Sequence, residues 1–279
     1  MKMNKLEGGL RQKGKINKRP LITIITVVFN GAKTVETTIK SVVNQTYRNF
    51  EYIIIDGYST DGTLDIIKKY NSKIDYWISE SDKGIYDAMN KGVLLAKGEY
   101  IYFLGCDDYL IEEEILKKLS SRLEKKYFDL FYCNIKTIND GKETINPNKE
   151  ILIEDLKKGK KICHQGLFTK KKIIDDEGYF DLNYPIASDY NFICTCFNKG
   201  YKILYSPIII TFYGYEGIST IKKDLNETAS IIRKHFGLYY YYRYLFIEKS
   251  HLIISKFLRK VGLLETFKKI LRKIQFIRT

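Results

Sequence analysis

Residues 54–63 read Ile54-Ile55-Asp56-Gly57-Tyr58-Ser59-Thr60-Asp61-Gly62-Thr63, and this stretch is the most informative about the fold. An apolar run stops at an acidic turn that contains glycine, and a helical pattern follows. The run from Tyr52 to Ile55 predicts a short buried strand, and Asp61 is suited to cap a helix that continues to about Tyr70. Open α/β sheets bind ligands in the crevice outside the carboxyl ends of their strands. The stretch therefore predicts a strand, a helix and a ligand site between them.

Strand and helix patterns alternate on both sides of this stretch. Before it, Leu21 to Phe29 is a β-branched run, and Ala32 to Thr46 places its apolar residues on one helical face. After it come predicted strands at 75–79, 100–104 and 129–135 and predicted helices at 85–96 and 112–127. Such alternation implies an α/β fold in which helices flank both faces of a mostly parallel sheet.

The amino-acid composition limits the class of protein. A chain of 279 residues with 44% hydrophobic content can bury one sizeable core and a helical appendage. The 47 basic and 33 acidic residues give a net charge of +14, which predicts an anionic partner: nucleic acid, a membrane surface or a phosphorylated substrate. The basic start, Met1 to Pro20, is not followed by the apolar stretch of a secretory signal, so we expect a cytoplasmic protein.

The basic residues concentrate at the two ends of the chain. Residues 1–19 predict a basic, mobile N-terminal arm, and residues 222–279 predict a helical C-terminal extension. In Ser250–Thr279, apolar residues recur at three- and four-residue steps with lysines and arginines between them. Such a basic amphipathic helix can lie on an anionic membrane, and the tyrosines of Tyr239–Tyr242 favour the headgroup level. The alternative is that the apolar stripe docks on the protein body.

Three nucleotide- and metal-binding motifs are missing. Gly57 and Gly62 have the spacing of a P-loop, but Thr63 and Leu64 stand where Lys and Ser or Thr are needed. No GxGxxG follows a predicted strand, and the three histidines form no HExxH. The sequence therefore argues against an ATPase, a dinucleotide-dependent enzyme and a zinc hydrolase.

Acidic residues at strand ends predict the chemistry of the site. Asp56 can accept hydrogen bonds from a base or a ribose, and Gly57 lets the backbone pass close to a flat ring. Asp107 and Asp108 follow the strand that ends at Leu104, and they could hold Mn²⁺ or Mg²⁺ that also binds a diphosphate. A simple turn with capping residues is the alternative interpretation of the two aspartates.

These residues, in this order, resemble the family 2 glycosyltransferases, the inverting GT-A enzymes that build bacterial polysaccharides. The segments that carry the resemblance are Ile24–Asn30, Ser41–Tyr47, Asp56–Thr63, Asp82–Gly92 and Asp107-Asp108. Later segments look like the acceptor half of a polysaccharide-assembly subgroup: His164-Gln165-Gly166, Gly178–Asp181, Ala187–Tyr190 and Glu216–Ser219. The resemblance implies a Rossmann-like GT-A domain over residues 20–221, with a nucleotide-sugar half (20–110) and an acceptor half (111–221).

The resemblance also implies an activity. It is the transfer of a hexose or N-acetylhexosamine from a nucleotide-sugar, expected to be a UDP-sugar, to a lipid-linked saccharide of a capsule, an O-antigen or an exopolysaccharide. Asp189 matches the catalytic base, although it could also cap a helix over Tyr190–Lys199, and Asp108 matches the carboxylate that binds Mn²⁺ or Mg²⁺. The implied donor contacts are Thr26, Phe29, Asn30, Asp56, Asp82, Lys83, Asp107 and His164. A packed interior histidine is the alternative for His164.

The sequence departs from the family at two places, and two other functions stay open. Tyr58 stands where a small residue is usual, and Gly105-Cys106 replaces the more usual Asn-Ser before the paired aspartates. A catalytically inactive sugar-nucleotide-binding relative is one alternative, which the retained aspartates disfavour. A basic nucleic-acid-binding protein is the other, but the basic residues lie away from the acidic site, so we expect no nucleic acid partner.

Overall fold

The computed structural model describes residues 5–14, 20–125, 127–139, 142–147, 149–214 and 225–260. Within these ranges the centre of the molecule is one ten-stranded sheet. Its strands are β1 (Leu6–Gly8), β2 (Ile22–Val28), β3 (Phe50–Asp56), β4 (Tyr76–Ser79), β5 (Tyr100–Phe103), β6 (Tyr109–Leu110), β7 (Leu130–Asn139), β8 (Lys142–Asn146), β9 (Leu167–Lys170) and β10 (Ile203–Tyr213). Their order is β1-β4-β3-β2-β5-β9-β7-β10-β6, and β8 pairs with β7 outside this path.

Strand direction confirms the predicted mostly parallel sheet. The strands β4, β3, β2 and β5 are parallel neighbours, and β7 pairs in parallel with β10. Because β9 is antiparallel to both β5 and β7, those two run the same way. Six of the ten described strands therefore share one direction, and β1, β6, β8 and β9 oppose them.

Helices cover both faces of the sheet. They are α1 (Val35–Val43), α2 (Thr63–Lys69), α3 (Ile85–Leu95), α4 (Ile115–Leu123), α5 (Ile153–Leu156), α6 (Lys171–Glu177), α7 (Ser188–Asn198), α8 (Leu225–Phe236) and α9 (Leu238–Lys260). Alternate residues of a strand point to opposite faces. In β3, Ile53 shares one buried core with Met89 of α3, whereas Ile54 shares the other with Ile39 of α1. Burial on both faces explains why the central strands read as continuous apolar runs.

The topology gathers the sequence motifs at the carboxyl edge of the sheet, which is the side on which the parallel strands end. That edge is where β2, β3, β4 and β5 end, and the reversed strand β9 begins there. The segments that follow these strand ends, or precede β9, are Phe29-Asn30, Asp56–Tyr58, Asp82-Lys83, Asp107-Asp108 and His164. The carboxyl edge is the ligand-binding edge of such sheets, so the fold brings together residues that lie far apart in the chain.

The expectation of a mobile N-terminal arm is wrong for residues 5–14. Leu6–Gly8 forms β1 and pairs antiparallel with β4. Arg11 is largely buried: its guanidinium pairs with the carboxylate of Glu51 and donates a hydrogen bond to the carbonyl of Leu95 (2.9 Å). The basic composition was misleading because this arginine has a buried partner and does not face solvent. Residues 1–4 and 15–19 lie outside the described residues.

The C-terminal helices pack on the body of the protein. Ile231 and Ile232 of α8 and Tyr244 of α9 are buried in the core that also contains Ile193 of α7. None of the helices in the described ranges combines the length and the apolar character that crossing a bilayer requires. The part of the predicted amphipathic segment beyond residue 260 lies outside the described residues.

Candidate active site

The carboxylate of Asp56 lies buried at the end of β3. Its Oδ2 accepts hydrogen bonds from the Ser79 hydroxyl (2.6 Å) and the Ser59 backbone N–H (3.2 Å), and its Oδ1 accepts one from the Ser59 hydroxyl. A buried carboxylate needs such donors because an unpaired buried charge is costly. Asp56 therefore shapes the turn, and a ligand that uses this carboxylate has to share or replace the serine donors.

Phe29 and Asn30 form the loop that follows β2. Asn30 has a left-handed backbone (φ 52°), which asparagine tolerates better than most residues. Its N–H donates to the Ser59 hydroxyl (2.8 Å), and its Oδ1 accepts from the Thr60 N–H (2.9 Å). The ring of Phe29 is 65% exposed. The loops after β2 and β3 are thus tied together, with an aromatic ring on the surface beside them.

Three segments meet at Gly57. A Cβ atom at this position would lie 2.6 Å from Oδ2 of Asp82 and 3.4 Å from Cδ2 of Phe29, so a larger residue would displace the carboxylate of Asp82. Burial raises the pKa of Asp82, although the Gly84 N–H donates to its Oδ1 (2.9 Å). Lys83 follows as an exposed residue just before α3. The predicted donor residues after β2, β3 and β4 are therefore close neighbours.

The side chain of Thr26 does not reach this surface. Thr26 is wholly buried within β2, and its hydroxyl accepts a hydrogen bond from the Tyr52 hydroxyl (3.0 Å). Both residues contribute to the interior of the protein. The structure thus separates the Thr26 side chain from the other predicted donor contacts, because the alternation of the strand turns it inward.

The turn after β5 carries the paired carboxylates. Asp108 is wholly buried; its Oδ1 accepts from the Gly214 N–H (2.8 Å) and its Oδ2 from the Gly105 N–H (3.0 Å). Burial, and next the negative charge of Asp107, raises the pKa of Asp108 to about 7. A cation at this turn would favour the ionised forms of Asp107 and Asp108. The two acids therefore fit a divalent ion whose remaining ligands are oxygen atoms of substrate or water.

The unusual Gly105-Cys106 sequence has a steric explanation. A Cβ atom at Gly105 would lie 2.5 Å from Oδ2 of Asp108, so only glycine leaves room for that carboxylate. Burial raises the pKa of the Cys106 thiol to about 12, which keeps it protonated. Across the ranges that the structure describes, no three His, Cys, Asp or Glu side chains are grouped to hold a metal ion. A cation here therefore depends on Asp107, Asp108 and oxygen atoms from substrate or water.

Asp189 lies in the first turn of α7. Because α7 begins at Ser188, the alternative of Asp189 as the cap of a helix that starts at Tyr190 is wrong. Its Oδ1 accepts hydrogen bonds from the Tyr86 hydroxyl (2.9 Å) and the Tyr190 N–H (2.7 Å). Its Oδ2 lies 3.2 Å from Nδ1 of His164. Two residues from distant parts of the chain therefore hold this carboxylate.

The surroundings of Asp189 favour its ionised form. Burial alone would raise the pKa of the carboxyl, but the hydrogen bond and charge of His164 outweigh burial, with help from Lys161 and Tyr86. The pKa of Asp189 consequently lies below its usual range. The charge of His164 also lowers the pKa of Asp108, so the imidazole is close enough to act on both carboxylates.

Sequence reasoning missed two residues that support Asp189. Tyr86 lies in the Asp82–Gly92 segment, for which the family resemblance implied no role of the tyrosine. Glu227 of α8 accepts hydrogen bonds at Oε2 from the N–H groups of Ile186 (3.0 Å) and Ala187 (2.8 Å), just before α7. Because Tyr86 lies in a segment that resembles the family, the sequence could have indicated a role for it. No local pattern indicated Glu227.

Comparison with known proteins identifies the family. The model of the family described as glycosyl transferase family 2 matches residues 23–193, which contain Asp56, Asp108 and Asp189. This chain belongs to that family. The predicted family is therefore confirmed, and with it the enzyme class, glycosyltransferase.

One relative and two solved structures illustrate the similarity. The glycosyltransferase is 28% identical over 231 residues to UDP-Glc:alpha-D-GlcNAc-diphosphoundecaprenol beta-1,3-glucosyltransferase WfaP from Escherichia coli, which covers 80% of this chain and 89% of the relative. The structure of S. aureus TarS 1–349 in complex with UDP-GlcNAc has a TM-score of 0.63 at 19% identity, covering 76% of this chain and 64% of TarS 1–349.

The mannosyltransferase PcManGT from Pyrobaculum calidifontis, in complex with GDP-Man and Mn²⁺, has a TM-score of 0.60 at 18% identity, covering 79% of this chain and 64% of that one. The glycosyltransferase thus spans less than two thirds of the length of both solved structures. At such identities the likeness concerns the fold alone, and it confirms the predicted GT-A architecture.

Proposed function

We propose that this glycosyltransferase moves a hexose or N-acetylhexosamine from a UDP-sugar to a lipid-linked saccharide, with inversion at the anomeric carbon, during synthesis of a cell-surface polysaccharide. One observation carries the proposal: the acidic turns after β3 and β5 and the Asp189–His164 pair lie along one edge of the sheet. The name of WfaP supports both substrates, since it specifies a UDP-Glc donor and a diphosphoundecaprenol-linked acceptor. The TarS complex with UDP-GlcNAc supports a UDP-sugar donor on this fold.

In this proposal the nucleotide binds over Gly57. The exposed ring of Phe29 offers an apolar face for the base, and Asp56 and Asn30 offer hydrogen-bond acceptors for base or ribose. Lys83 is exposed at the same edge and can attract the diphosphate by its charge. The side chains of Asp56 and Asn30 are already held by hydrogen bonds around Gly57, so this part of the surface is preformed for the donor.

A divalent cation, Mn²⁺ or Mg²⁺, fits the turn after β5. Asp108, assisted by Asp107, would hold it, because burial and then the negative charge of Asp107 raise the pKa of Asp108, and a cation would offset both effects. Mn²⁺ in the PcManGT structure supports a cation on this fold. When bound, such an ion neutralises negative charge that develops on a departing diphosphate. Asp189 is the proposed general base: it takes the proton from the acceptor hydroxyl as that oxygen attacks the anomeric carbon.

The experiment that tests this function is a panel of nucleotide-sugars and free nucleotides, scored by thermal shift with and without Mn²⁺. A ligand that binds the native state raises its stability by mass action, so selective stabilisation by UDP and one UDP-sugar is expected. Transfer to N-acetylglucosamine diphosphate on a short alkyl chain, with NMR of the product, then reports the anomeric configuration. Stabilisation by UDP without transfer to any saccharide diphosphate would favour the inactive relative, and a retained configuration would contradict inversion.

We also propose that the enzyme works at the inner face of the cytoplasmic membrane, where a lipid-linked acceptor is anchored. Three large side chains of α9, Tyr239, Tyr242 and Phe246, are 70%, 64% and 74% exposed. Their spacing of three and four residues places them on one side of the helix. Exposed Arg243 and Lys249 lie on the same helix, as expected for a surface that meets anionic lipid.

Sedimentation with anionic vesicles tests the membrane contact. Removal of Ser250–Thr279, and separately replacement of Tyr239, Tyr242 and Phe246 by serine, should each reduce the bound fraction. A Lys117→Ser variant, at an exposed position of α4, is the control for loss of a surface residue. Unchanged sedimentation of both altered proteins would contradict the proposal.

A further inference from the structure

Residues 157–161 form a basic loop, the lysine loop, that contacts both α7 and α9. It begins directly after α5, and four of its five residues are lysines. Toward α7, the hydroxyl of Tyr190 donates a hydrogen bond to the carbonyl of Leu156, just before the loop. Toward α9, a Cβ atom at Gly159 would lie 2.5 Å from Cε2 of Tyr244, so the loop backbone rests directly on that ring. The lysine loop is therefore held between the two helices.

Hydrogen bonds of its own backbone fix the shape of the lysine loop. The carbonyl of Asp155 accepts hydrogen bonds from the N–H groups of Lys158 (3.0 Å) and Lys160 (3.0 Å), and the carbonyl of Leu156 accepts one from the N–H of Gly159 (2.7 Å). Gly159 has a left-handed backbone (φ 77°), which glycine adopts without a steric cost. The loop therefore presents its lysine side chains from fixed positions.

The lysine loop carries more positive charge than its neighbours neutralise. Lys158 and Lys161 are exposed, and neither forms an ion pair with a residue in the described part of the chain. The other two lysines pair at 2.6 Å with carboxylates of α5: Lys157 with Glu154 and Lys160 with Asp155. Because the charges of Lys158 and Lys161 remain available, the loop suits a ligand group with more than one negative charge, such as a diphosphate.

The last residue of the lysine loop lies close to the proposed catalytic base. Nζ of Lys161 is 5.5 Å from the centre of the Tyr190 ring, and Tyr190 directly follows Asp189 in α7. Burial raises the pKa of Asp189, and among the groups that oppose burial the charge of Lys161 comes after His164. An anionic group bound at Lys161 would therefore hold the saccharide attached to it beside Asp189.

The first residue of the lysine loop lies against the helix that we propose to meet the membrane. Nζ of Lys157 is 4.8 Å from the centre of the Tyr240 ring of α9, the helix whose exposed aromatic side chains are described above. Leu152, just before α5, is 57% exposed as well. The contacts thus place an exposed apolar surface, the lysine loop and Asp189 in that order. A lipid-linked saccharide has its lipid, its diphosphate and its sugar in the same order.

We propose that the lysine loop, through Lys158 and Lys161, binds the diphosphate that joins the acceptor saccharide to its lipid; the inference rests on the transferase function proposed above. The lipid then lies toward α9 and the saccharide toward Asp189. Hydrogen bonds between an ammonium group and a phosphate are stronger than those between neutral groups. The loop therefore selects a diphosphate-linked acceptor over a free saccharide.

The double variant Lys158→Gln/Lys161→Gln tests this site with two acceptors. One is N-acetylglucosamine diphosphate on a short alkyl chain, and the other is N-acetylglucosamine on the same chain without the diphosphate; UDP-Glc or UDP-GlcNAc is the donor. We expect KM for the diphosphate acceptor to rise, and the ratio of its kcat/KM to that of the neutral acceptor to fall, by about tenfold or more. Because both acceptors are deprotonated at Asp189, an effect of Lys161 on that carboxylate cancels in the ratio. Equal losses with the two acceptors would overturn the proposal.

Lys97→Gln/Lys172→Gln is the matched control for the loss of two surface charges. Both lysines are exposed; Lys97 precedes β5 and Lys172 follows β9, so they lie at the edge of the sheet opposite the candidate site. The ratio for the two acceptors should stay within about twofold of the wild-type value. A fall as large as that of the double variant in the loop would mean that overall charge governs the acceptor preference, which would overturn the proposal.

Two binding measurements separate the acceptor diphosphate from other anions. The affinity of Lys158→Gln/Lys161→Gln for UDP should stay within about threefold of the wild-type value, and a tenfold loss would assign the lysines to the donor. Sedimentation with vesicles of phosphatidylglycerol and phosphatidylcholine reports contact with anionic lipid. Reduced sedimentation of the variant with an unchanged acceptor ratio would assign the lysines to the membrane surface. Either result would overturn the proposal.

Failure of the site and failure of the transferase function have different signatures. A wild-type enzyme that transfers sugar with the same kcat/KM to both acceptors would refute the diphosphate site alone. A wild-type protein that neither binds UDP nor consumes a UDP-sugar would refute the transferase function on which the site depends.

Discussion

Two carboxylates at the same sheet edge, Asp108 and Asp189, have opposite electrostatic surroundings. Asp108, after β5, is held by the backbone N–H groups of Gly105 and Gly214, and burial together with the negative charge of Asp107 raises its pKa to about 7. Asp189, in α7, is held by Tyr86 and His164, and its pKa falls below the usual range. At Asp108 a neighbouring acid adds to the effect of burial, whereas at Asp189 the imidazole of His164 outweighs burial. Burial alone does not determine what a carboxylate can do; its neighbours do.

Asp189→Asn should produce the largest loss of activity. The asparagine is nearly the same size, so the fold should persist, but its neutral amide cannot take the proton of the acceptor hydroxyl. We expect transfer to fall by about 10³-fold or more, while the affinity for UDP changes by less than about threefold. Initial rates and calorimetric UDP titration measure the two quantities. Near-normal turnover would exclude Asp189 as the catalytic base.

Asp108→Asn should impair metal binding, and it should reduce activity by less than Asp189→Asn does. Removal of the negative charge takes away the attraction for Mn²⁺, so the extra thermal stabilisation that Mn²⁺ gives in the presence of UDP should disappear. We expect kcat/KM to fall by about 10²-fold at saturating metal. Glu99→Gln, near the opposite ends of the strands, is the control for loss of one acidic charge. An unchanged response to Mn²⁺ in Asp108→Asn would exclude Asp108 as a ligand.

The opposite pKa shifts predict opposite effects of pH on stability. The metal-free folded protein binds a proton at Asp108 more tightly than the unfolded chain does. The contribution of Asp108 to the free energy of unfolding should therefore decrease as pH rises from about 4 to about 7, by at most about 4 kcal/mol. Asp189 behaves in the reverse way: its contribution is present above about pH 4 and is lost as pH falls through its lowered folded-state pKa.

Denaturant unfolding at pH 5 and pH 8 without metal measures the Asp108 effect. The wild type should lose stability relative to Asp108→Asn between these two pH values, because asparagine does not titrate. Parallel pH dependences of the two proteins would contradict the raised pKa of Asp108. Addition of Mn²⁺ with UDP at pH 8 should restore stability in the wild type and not in the variant.

Glu227→Gln should give the smallest effect on catalysis. Glu227 accepts hydrogen bonds from two N–H groups before α7 and so fixes the helix that carries Asp189. Glutamine keeps one oxygen acceptor but loses the charge, and charge-assisted hydrogen bonds are about twice as strong as neutral ones. We expect kcat to fall about threefold to tenfold with little change in UDP affinity, as measured by initial rates and titration. A change in Mn²⁺ response instead would mean that α8 acts on the Asp108 turn.

The central part of the fold could be predicted because its signals are local. The strands β2, β3, β4 and β5 are buried runs that stop at polar turns, and the helices between them carry one apolar face. The reversed strands could not be predicted in this way. β1 has three residues and β6 has two, and each is a strand only because a partner strand lies beside it.

The candidate site was predictable in its components but not in its contacts. Asp56, Asp108 and Asp189 each stand in a recognisable motif, whereas the hydrogen bond from Tyr86 to Asp189 joins residues 103 positions apart. Such a contact depends on the order of the strands, in which β9 enters between β5 and β7. The inward side chain of Thr26 was missed for a similar reason, since its hydrogen bond to Tyr52 depends on the pairing of β2 with β3.

The short strand β1 has a practical consequence for recombinant work. The sequence suggests that the folded domain starts near residue 20, and a gene trimmed there would lack the residues that cover the outer edge of β4. An uncovered edge offers free backbone groups to other chains and invites aggregation. The same truncation would also leave the buried carboxylate of Glu51 without its arginine. Poor solubility of such a shortened protein would therefore reflect a missing strand of the sheet. Purification tags are better attached outside the segment from Leu6 to Arg11.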